Sequence, residues 1–137
     1  MVIGALTIEL FLKCLACIET TQVPRGHHLK TLFDGLSPST QARIEDGWNA
    51  IALHRDAEWN HYETLMGEGI ARDLRTALAA GSKAFEKIRY SYEGGTEQLQ
   101  YYLQDLPILL GRIVLERKPE WAGLRRGYRE VAPVPRP

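Results

Sequence analysis

The sequence predicts an all-α protein, built as an antiparallel bundle of about five helices. Apolar residues recur at steps of three and four along most of the chain, which is the spacing of a buried helical face. No stretch shows the alternating β-branched residues of a half-buried strand. With 137 residues, of which 45% are hydrophobic, the chain has the size and composition of one globular domain.

A first helix is predicted from Val2 to Glu19, mostly buried, with Glu9 and Lys13 paired one turn apart. This segment is apolar enough to raise the question of a signal peptide or a membrane span. Both are disfavoured because Glu9 and Lys13 interrupt the segment and no Lys or Arg precedes it. We therefore expect a cytoplasmic protein without membrane contact. Pro24 and Gly26 mark the loop that follows.

A short second helix is predicted over residues 27–36, the segment HHLKTLFDGL. Ser37 then has the identity of an N-cap, and Pro38 suits the first helical position because its missing N–H would have no partner there. The third helix is therefore expected to start at Pro38. On its apolar spacing it should run to about Met66, before the sequence GEG.

Two more helices complete the predicted bundle. The fourth should run from about Ile70 to Glu93 and end at the glycine pair 94–95. The fifth should be capped by Thr96, run to Arg117 and bend at Pro107, because proline has no N–H for the helical hydrogen bond.

The chain carries no net charge, since 17 Lys and Arg residues balance 17 Asp and Glu residues. A general electrostatic attraction for nucleic acid is therefore absent, and any such binding would depend on a local cluster of basic residues. One cluster lies between Arg117 and Arg129. Residues 1–118 are predicted to form the helical domain, and residues 119–137 a basic, proline-rich tail.

Cys14 and Cys17 form a C-x-x-C pair inside the first helix. A zinc site would need two further ligands at suitable spacing, which the sequence does not offer. A thioredoxin-type pair would begin a helix rather than lie within one. We interpret both cysteines as small buried hydrophobic residues.

His54, Glu58 and His61 share one stripe of the third helix, at positions i, i+4 and i+7. Two imidazoles and a carboxylate are ligands for zinc or iron. A di-iron bundle would need a second Glu-x-x-His motif, and the sequence has none. The stripe is either a metal site or a solvated polar edge. We prefer the polar edge and expect no cofactor.

The segment IRYSYEGG places Arg89 and Glu93 one turn apart at the end of the fourth helix, next to Tyr90 and Tyr92. An arginine near tyrosines can hold a phosphate or a base, and it can equally tie one helix to another through a carboxylate. His27, at the start of the second helix, can cap that helix, bond to a neighbouring helix or contribute to a polar cleft. Residue chemistry leaves these alternatives open.

Three segments in series resemble the HEPN (higher eukaryotes and prokaryotes nucleotide-binding) domain family. They are LTIELFLKCLACIE, with Glu9 and Lys13 in place, GHHLKTLF, and RYSYE, and they extend from about Ile3 to Glu93. The resemblance implies a helical bundle that often dimerises and acts on RNA or nucleotides. Many members are ribonucleases of toxin–antitoxin or phage-defence systems, and others are inactive binding or scaffold modules.

The family usually has another helix before the I-E-L segment. This sequence starts almost directly at the I-E-L segment, so the first family helix is apparently missing. We expect either that the chain is trimmed or that an apolar groove is left for a second copy of the chain or a cognate small protein partner. Homodimerisation is the expectation that follows.

The resemblance also implies a polar cleft for RNA or a nucleotide phosphate. Its expected residues are Glu9, Lys13, His27, Arg89, Tyr92 and Glu93. If the protein is an enzyme, it should be a metal-independent endoribonuclease with His27 as acid or base and Arg89 stabilising the charge on the phosphorane. The alternatives are a non-catalytic dimerisation or interaction module and, third, a metal-binding bundle.

Ribonuclease members carry an R-x4–6-H motif on a late helix, whereas no histidine follows Arg89 here. Arg55 and His61 match the motif on the third helix. Six residues of an unbroken helix turn by about 600°, which leaves the two side chains roughly 120° apart. This pair could act together only if the helix were distorted, so we expect the usual ribonuclease site to be absent.

Overall fold

The computed structural model describes residues 2–90 and 103–127, and the side chains of residues 4–82 and 103–124. These described residues form helices joined by short loops, with no strand among them, so the predicted all-α bundle is confirmed. The helices are α1 Val2–Thr20, α2 Leu29–Asp34, α3 Pro38–Met66, α4 Leu74–Tyr90, α5 Leu106–Arg117 and α6 Ala122–Gly127, with a 3-10 turn at Pro119–Trp121 before α6.

The ends of the first three helices follow from local signals. His28 is the N-cap of α2, where its side chain accepts a hydrogen bond from the N–H of Thr31. Ser37 caps α3 as predicted, with Pro38 in the first turn. Gly67 ends α3 with a φ of 70°, a left-handed conformation that glycine adopts without steric cost.

The predicted start of α4 at Ile70 is wrong, because the helix begins at Leu74. Asp73 acts as its cap, and the Asp73 carboxylate accepts from the N–H of Thr76 at 2.8 Å. Ile70 is held outside the helix by donating its N–H to Oε1 of Glu63 at 2.6 Å. The predicted end at Glu93 and the glycine pair 94–95 lie outside the described residues.

The fifth helix was predicted as one bent helix, but the chain is interrupted just before Pro107: Leu103 is helical, residues 104–105 form a turn, and α5 begins at Leu106 with Pro107 in its first turn. Asp105 precedes this helix but makes no capping hydrogen bond, since Arg55 binds its carboxylate at 2.9 and 3.3 Å. The predicted cap Thr96 lies outside the described residues. Helical turns continue past the predicted boundary at 118, and Trp121 packs against the core.

One core fills the space between the helices. α1 packs on α2 and α5, α2 packs on α4, and α3 packs on α5. Trp48 and Trp59 are the largest buried side chains, with ring centroids 5.8 Å apart, and Nε1 of Trp48 donates to the carbonyl of Arg72 at 2.9 Å. No helix in the described ranges combines the length and apolar character needed to cross a membrane.

Polar contacts tie the helix ends together. Glu19, at the end of α1, accepts hydrogen bonds from the N–H of Ser37 at 2.9 Å and from the hydroxyls of Ser37 and Thr40. Arg117, at the end of α5, donates to the Thr40 hydroxyl at 2.7 Å. Three helices therefore meet at the start of α3.

Helices α3 and α5 run in opposite directions. Arg43, near the start of α3, pairs with Glu116 near the end of α5, and Arg55 pairs with Asp105 just before α5. Between these two ion pairs the helices approach closely, because Gly47 leaves room for the side chain of Leu109.

Candidate functional site

Glu9, Lys13 and His27 form one cluster, which we call the Glu9 cluster. Oε1 of Glu9 lies 2.8 Å from Nζ of Lys13 and 2.8 Å from Nδ1 of His27. Glu9 is only 3% exposed, whereas the side chain of His27 is 55% exposed. The buried carboxylate therefore holds one cation of its own helix and one imidazole that faces solvent.

Electrostatics keeps Glu9 ionised in this cluster. Burial by itself would raise the pKa of Glu9, but hydrogen bonds and charge interactions with Lys13 and His27 outweigh it and lower the pKa below its ordinary value of 4.5. An ionised carboxylate can only accept hydrogen bonds, so Nδ1 of His27 is protonated and donates the hydrogen bond to Glu9. Nε2 of His27 is then the ring nitrogen left to bind a ligand.

The loop between α1 and α2 brings His27 to Glu9. Gly26 turns the chain with a φ of 93°, a left-handed conformation that favours glycine. His28 then caps α2, and Leu29 and Phe33 bury the helix against the core. The two residues that flank His27 have fixed roles, Gly26 in the turn and His28 as the cap of α2. The position of His27 is therefore set by the backbone on either side of it.

Helix α4 passes the start of α2. The N–H of Lys30 donates to the buried hydroxyl of Ser82 at 3.4 Å, and that hydroxyl donates to the carbonyl of Leu78 at 2.8 Å. Arg89 follows Ser82 by seven residues, or two turns, and so holds the same register position on α4. Tyr92 and Glu93, the other predicted members of the cleft, lie outside the described residues.

Arg55 and His61 are not brought together. α3 is continuous from Pro38 to Met66, so no distortion removes the separation of about 120° between their directions. Arg55 is occupied by Glu58 at 2.7 Å and by Asp105 at 2.9 Å, and these hydrogen bonds and charges raise its pKa. His61 is exposed. Arg55 joins α3 to the start of α5 instead of facing a histidine.

His54, Glu58 and His61 do not form a metal site in this arrangement. The carboxylate of Glu58 is bound by Arg55, and both histidines are exposed. Within the described ranges no three His, Cys, Asp or Glu side chains are grouped as metal ligands. The interpretation of the stripe as a polar edge stays a prediction.

Cys14 and Cys17 are free thiols and only half-buried, so the prediction of two buried residues is partly wrong. They line a shallow apolar surface together with Leu10 and Ile18. Cys14 still packs against the core. Burial and the neighbouring Cys17 raise the pKa of the Cys14 thiol, which disfavours the reactive thiolate.

Two further surfaces have lining residues that were not predicted from the sequence. Arg43 and Arg112 line a cleft between α3 and α5 together with His54 and Arg55. An apolar groove also lies beside Trp121. We call it the Trp121 groove and define it by Phe11, Ile108, Gly111, Leu115, Trp121 and Leu124. Neither surface has a spacing signal, because its residues come from separate helices.

No family model, curated protein or solved structure matches this chain. The fold class is that of an all-α bundle, and function is inferred from the chain's own residues and their contacts.

Proposed function

We propose that this chain is an HEPN-like protein that binds RNA or a nucleotide phosphate through the Glu9 cluster. Arg89 on α4, Tyr92 and Glu93 would complete the cleft. A place in a toxin–antitoxin or defence system is the setting that the family resemblance suggests. The observation that carries the proposal is the contact of one buried carboxylate with Lys13 and His27, both at 2.8 Å.

Two side chains of the cluster support phosphate binding. Lys13 lies one turn from Glu9, is held by an ion pair at 2.8 Å and keeps 17% of its side chain exposed. The side chain of His27 is 55% exposed. The fold already holds the ammonium of Lys13 and the imidazole of His27 in place. A phosphate that binds these two donors would therefore cause little further loss of side-chain entropy.

The same geometry defines what catalysis would require. Nε2 of His27 could take the proton of an RNA 2′-hydroxyl as that oxygen attacks phosphorus, with the 5′-oxygen leaving. Arg89 would stabilise the negative charge that develops on the phosphorane. This chemistry would need no metal. Because a single acid–base group must then serve both oxygens, we place binding ahead of cleavage.

The direct test measures retention and cleavage of mixed RNA by the wild-type chain, His27→Ala, Arg89→Ala and the control His61→Ala. His61 is an exposed histidine on α3 and matches His27 in chemistry but not in surroundings. We expect His27→Ala and Arg89→Ala each to weaken RNA retention by about tenfold, the loss of one charge-assisted hydrogen bond. The control should bind like the wild type.

Two results would overturn this proposal. One is that neither the wild type nor any variant retains or cleaves RNA. The other is that His61→Ala abolishes RNA retention while His27→Ala leaves it unchanged. That result would indicate that RNA binds at Arg55 and His61. Circular dichroism of each variant separates lost binding from lost folding.

A second candidate function is a non-catalytic interaction module that forms a homodimer. The Trp121 groove favours it, because this groove encloses about 770 Å³ and is mostly apolar. Ile108 and Leu124 at its edge are 64% and 70% exposed. Burying such side chains against a second copy would remove apolar surface from water.

The solution mass tests this second candidate. A dimer should be seen by light scattering or sedimentation, and Leu124→Glu should shift it to the monomer. Leu53, which is 83% exposed on α3, supplies the control Leu53→Glu. A wild-type monomer at high concentration, or equal dissociation by both variants, would exclude dimerisation through the groove. In this alternative Arg89→Ala lowers stability and association without changing RNA retention.

A further inference from the structure

A second polar site lies between α3 and α5, away from the residues of the Glu9 cluster. It is a cleft of about 380 Å³, within the range of about 300 to 1,000 Å³ that is usual for small-molecule sites. We call it the arginine cleft and define its polar wall by Arg43, His54, Arg55, Asp105 and Arg112.

The wall of the arginine cleft is cationic. It contains three guanidinium groups and one carboxylate, that of Asp105, in a chain whose net charge is zero. Asp105 is already bound by Arg55 at 2.9 and 3.3 Å. Asp105 therefore balances the charge of Arg55, and the wall contains no second carboxylate to balance the charge of Arg112.

Both sides of the cleft carry donors that have no partner among the described residues. Arg43 uses Nε and one terminal amino group to bind Glu116, which fixes its guanidinium but leaves the other amino group without a partner among the described residues. Arg112 and His54 make no hydrogen bond or ion pair with any residue in the described ranges. Since Arg43 and His54 come from α3 and Arg112 from α5, the donors approach the cleft from two helices.

The residues between the donors of the arginine cleft, which we call its floor, are apolar. Gly47, Ala50 and Ile51 form its α3 side, while Ile108 and Leu109 form its α5 side. The close approach of Leu109 to Gly47 brings the two helices together beneath the cleft. Small side chains on α3 leave room for an organic group next to the donors.

We infer that the arginine cleft binds a phosphate monoester whose organic part is apolar or planar. The phosphate lies between Arg43, His54 and Arg112, and the organic part covers the apolar floor. A tetrahedral dianion offers oxygens to donors from different directions, whereas a carboxylate is matched by a single forked guanidinium. This site goes beyond the proposed function, because it shares no residue with the Glu9 cluster.

Titration with phenyl phosphate, monitored by calorimetry or amide NMR shifts, tests the inference on the full chain. Inorganic phosphate and phenol are the comparison ligands, since each carries half of the recognised chemistry. We expect phenyl phosphate to bind about tenfold more tightly than either. Shifted amide signals should map to α3 and α5.

Three variants test the assignment to residues. Arg112→Gln should weaken phenyl phosphate about tenfold, the loss of a charge-assisted hydrogen bond. Ala50→Leu should fill the exposed floor and weaken phenyl phosphate while leaving inorganic phosphate unchanged. Arg25→Gln is the matched control, because Arg25 is an exposed arginine in the loop between α1 and α2. It should bind phenyl phosphate like the wild type.

The inference is overturned if phenyl phosphate binds no better than inorganic phosphate, or if Arg25→Gln weakens it as much as Arg112→Gln does. The latter result would indicate a general charge effect. RNA retention, measured on the same variants, separates this site from the proposed function. His27→Ala should lose RNA and keep phenyl phosphate, while Arg112→Gln should show the opposite pattern.

Discussion

Nδ1 of His27 lies 2.8 Å from Oε1 of Glu9, although 18 residues separate them and Glu9 lies inside an apolar helix. The carboxylate is therefore a shared anchor for α1 and for the loop before α2. Its second oxygen, Oε2, is buried and accepts no hydrogen bond from a described residue. Glu9 thus depends on Lys13 and His27 for its stabilisation.

Replacing Glu9 by Gln should destabilise the protein. The change leaves the Lys13 ammonium, 17% exposed, without its partner, and we expect a loss of about 2 kcal/mol in the free energy of unfolding. Urea denaturation measures it. Glu68→Gln is the control, since Glu68 is exposed and its replacement should stay within about 0.5 kcal/mol of the wild type. Equal effects of both changes would contradict a role for Glu9 in stability.

Acid should destabilise the chain, and Glu9 and Glu19 contribute to this together with Glu63 and Asp73, whose pKa values are also lowered. For Glu19, burial would raise the pKa, but hydrogen bonds from Thr40 and Ser37 and the charge of Arg117 lower it, as Lys13 and His27 do for Glu9. A carboxyl whose pKa is lower in the folded state binds protons more readily when unfolded. Its contribution to the free energy of unfolding is therefore complete above its ordinary pKa of 4.5. This contribution is lost as the pH falls through the lower pKa of the folded state.

Urea midpoints measured at intervals between neutral pH and about pH 3 check this dependence. In the wild type, the urea midpoint should decrease as the pH is lowered below 4.5, the ordinary pKa of Glu. The fall should be shallower in Glu9→Gln and in Glu19→Gln, because each lacks one titrating group. A wild-type midpoint that rises in acid would contradict the lowered pKa values.

Arg55→Ala should lower the melting temperature without changing RNA retention. Arg55 connects α3 to the residue before α5 through Asp105, so its loss removes a contact between two helices. Arg55 makes no contact with His61 that a catalytic pair would need. Thermal melts and RNA retention on the same preparation distinguish these roles, and a loss of RNA at unchanged stability would favour the R-x4–6-H interpretation.

Gly47→Ala should be destabilising, although alanine is the better helix former by about 1 kcal/mol. A Cβ at this position would lie 2.5 Å from Cδ1 and 3.0 Å from Cδ2 of Leu109, which is itself buried in the core. Overpacking of this kind costs about 1 to 3 kcal/mol, so steric strain should exceed the gain in propensity. Gly123→Ala meets no atom within 4 Å and is the control. Chemical denaturation should show that only the first change lowers stability.

Untagged protein should carry no stoichiometric zinc or iron. Glu58 is bound by Arg55, and only two exposed histidines remain on that stripe of α3. Elemental analysis after dialysis checks this outcome. A metal content near one per chain that falls in His54→Ala and His61→Ala would restore the metal-site interpretation.

Local signals predicted the helices well where a single segment contains everything that sets them. Ser37 and Pro38 start α3, and Gly67 ends it, because capping and a left-handed φ are properties of a few consecutive residues. The pairing of Glu9 with Lys13 was predictable for the same reason, since residues one turn apart on a helix are neighbours. Asp73 was overlooked as the cap of α4, although its residue type is a usual N-cap signal.

The sequence by itself determined that this is an all-α protein and which side chains of α1 could pair. Only the tertiary structure decided which charged residues from different segments meet. Arg55 meets Asp105 across 50 positions, and Arg43 meets Glu116 across 73. The first contact occupies a predicted catalytic residue, and both help to shape a cleft that no motif marked. The physical reason is that hydrogen bonds and ion pairs depend on distance in space, whereas sequence spacing determines that distance only within a helix or turn.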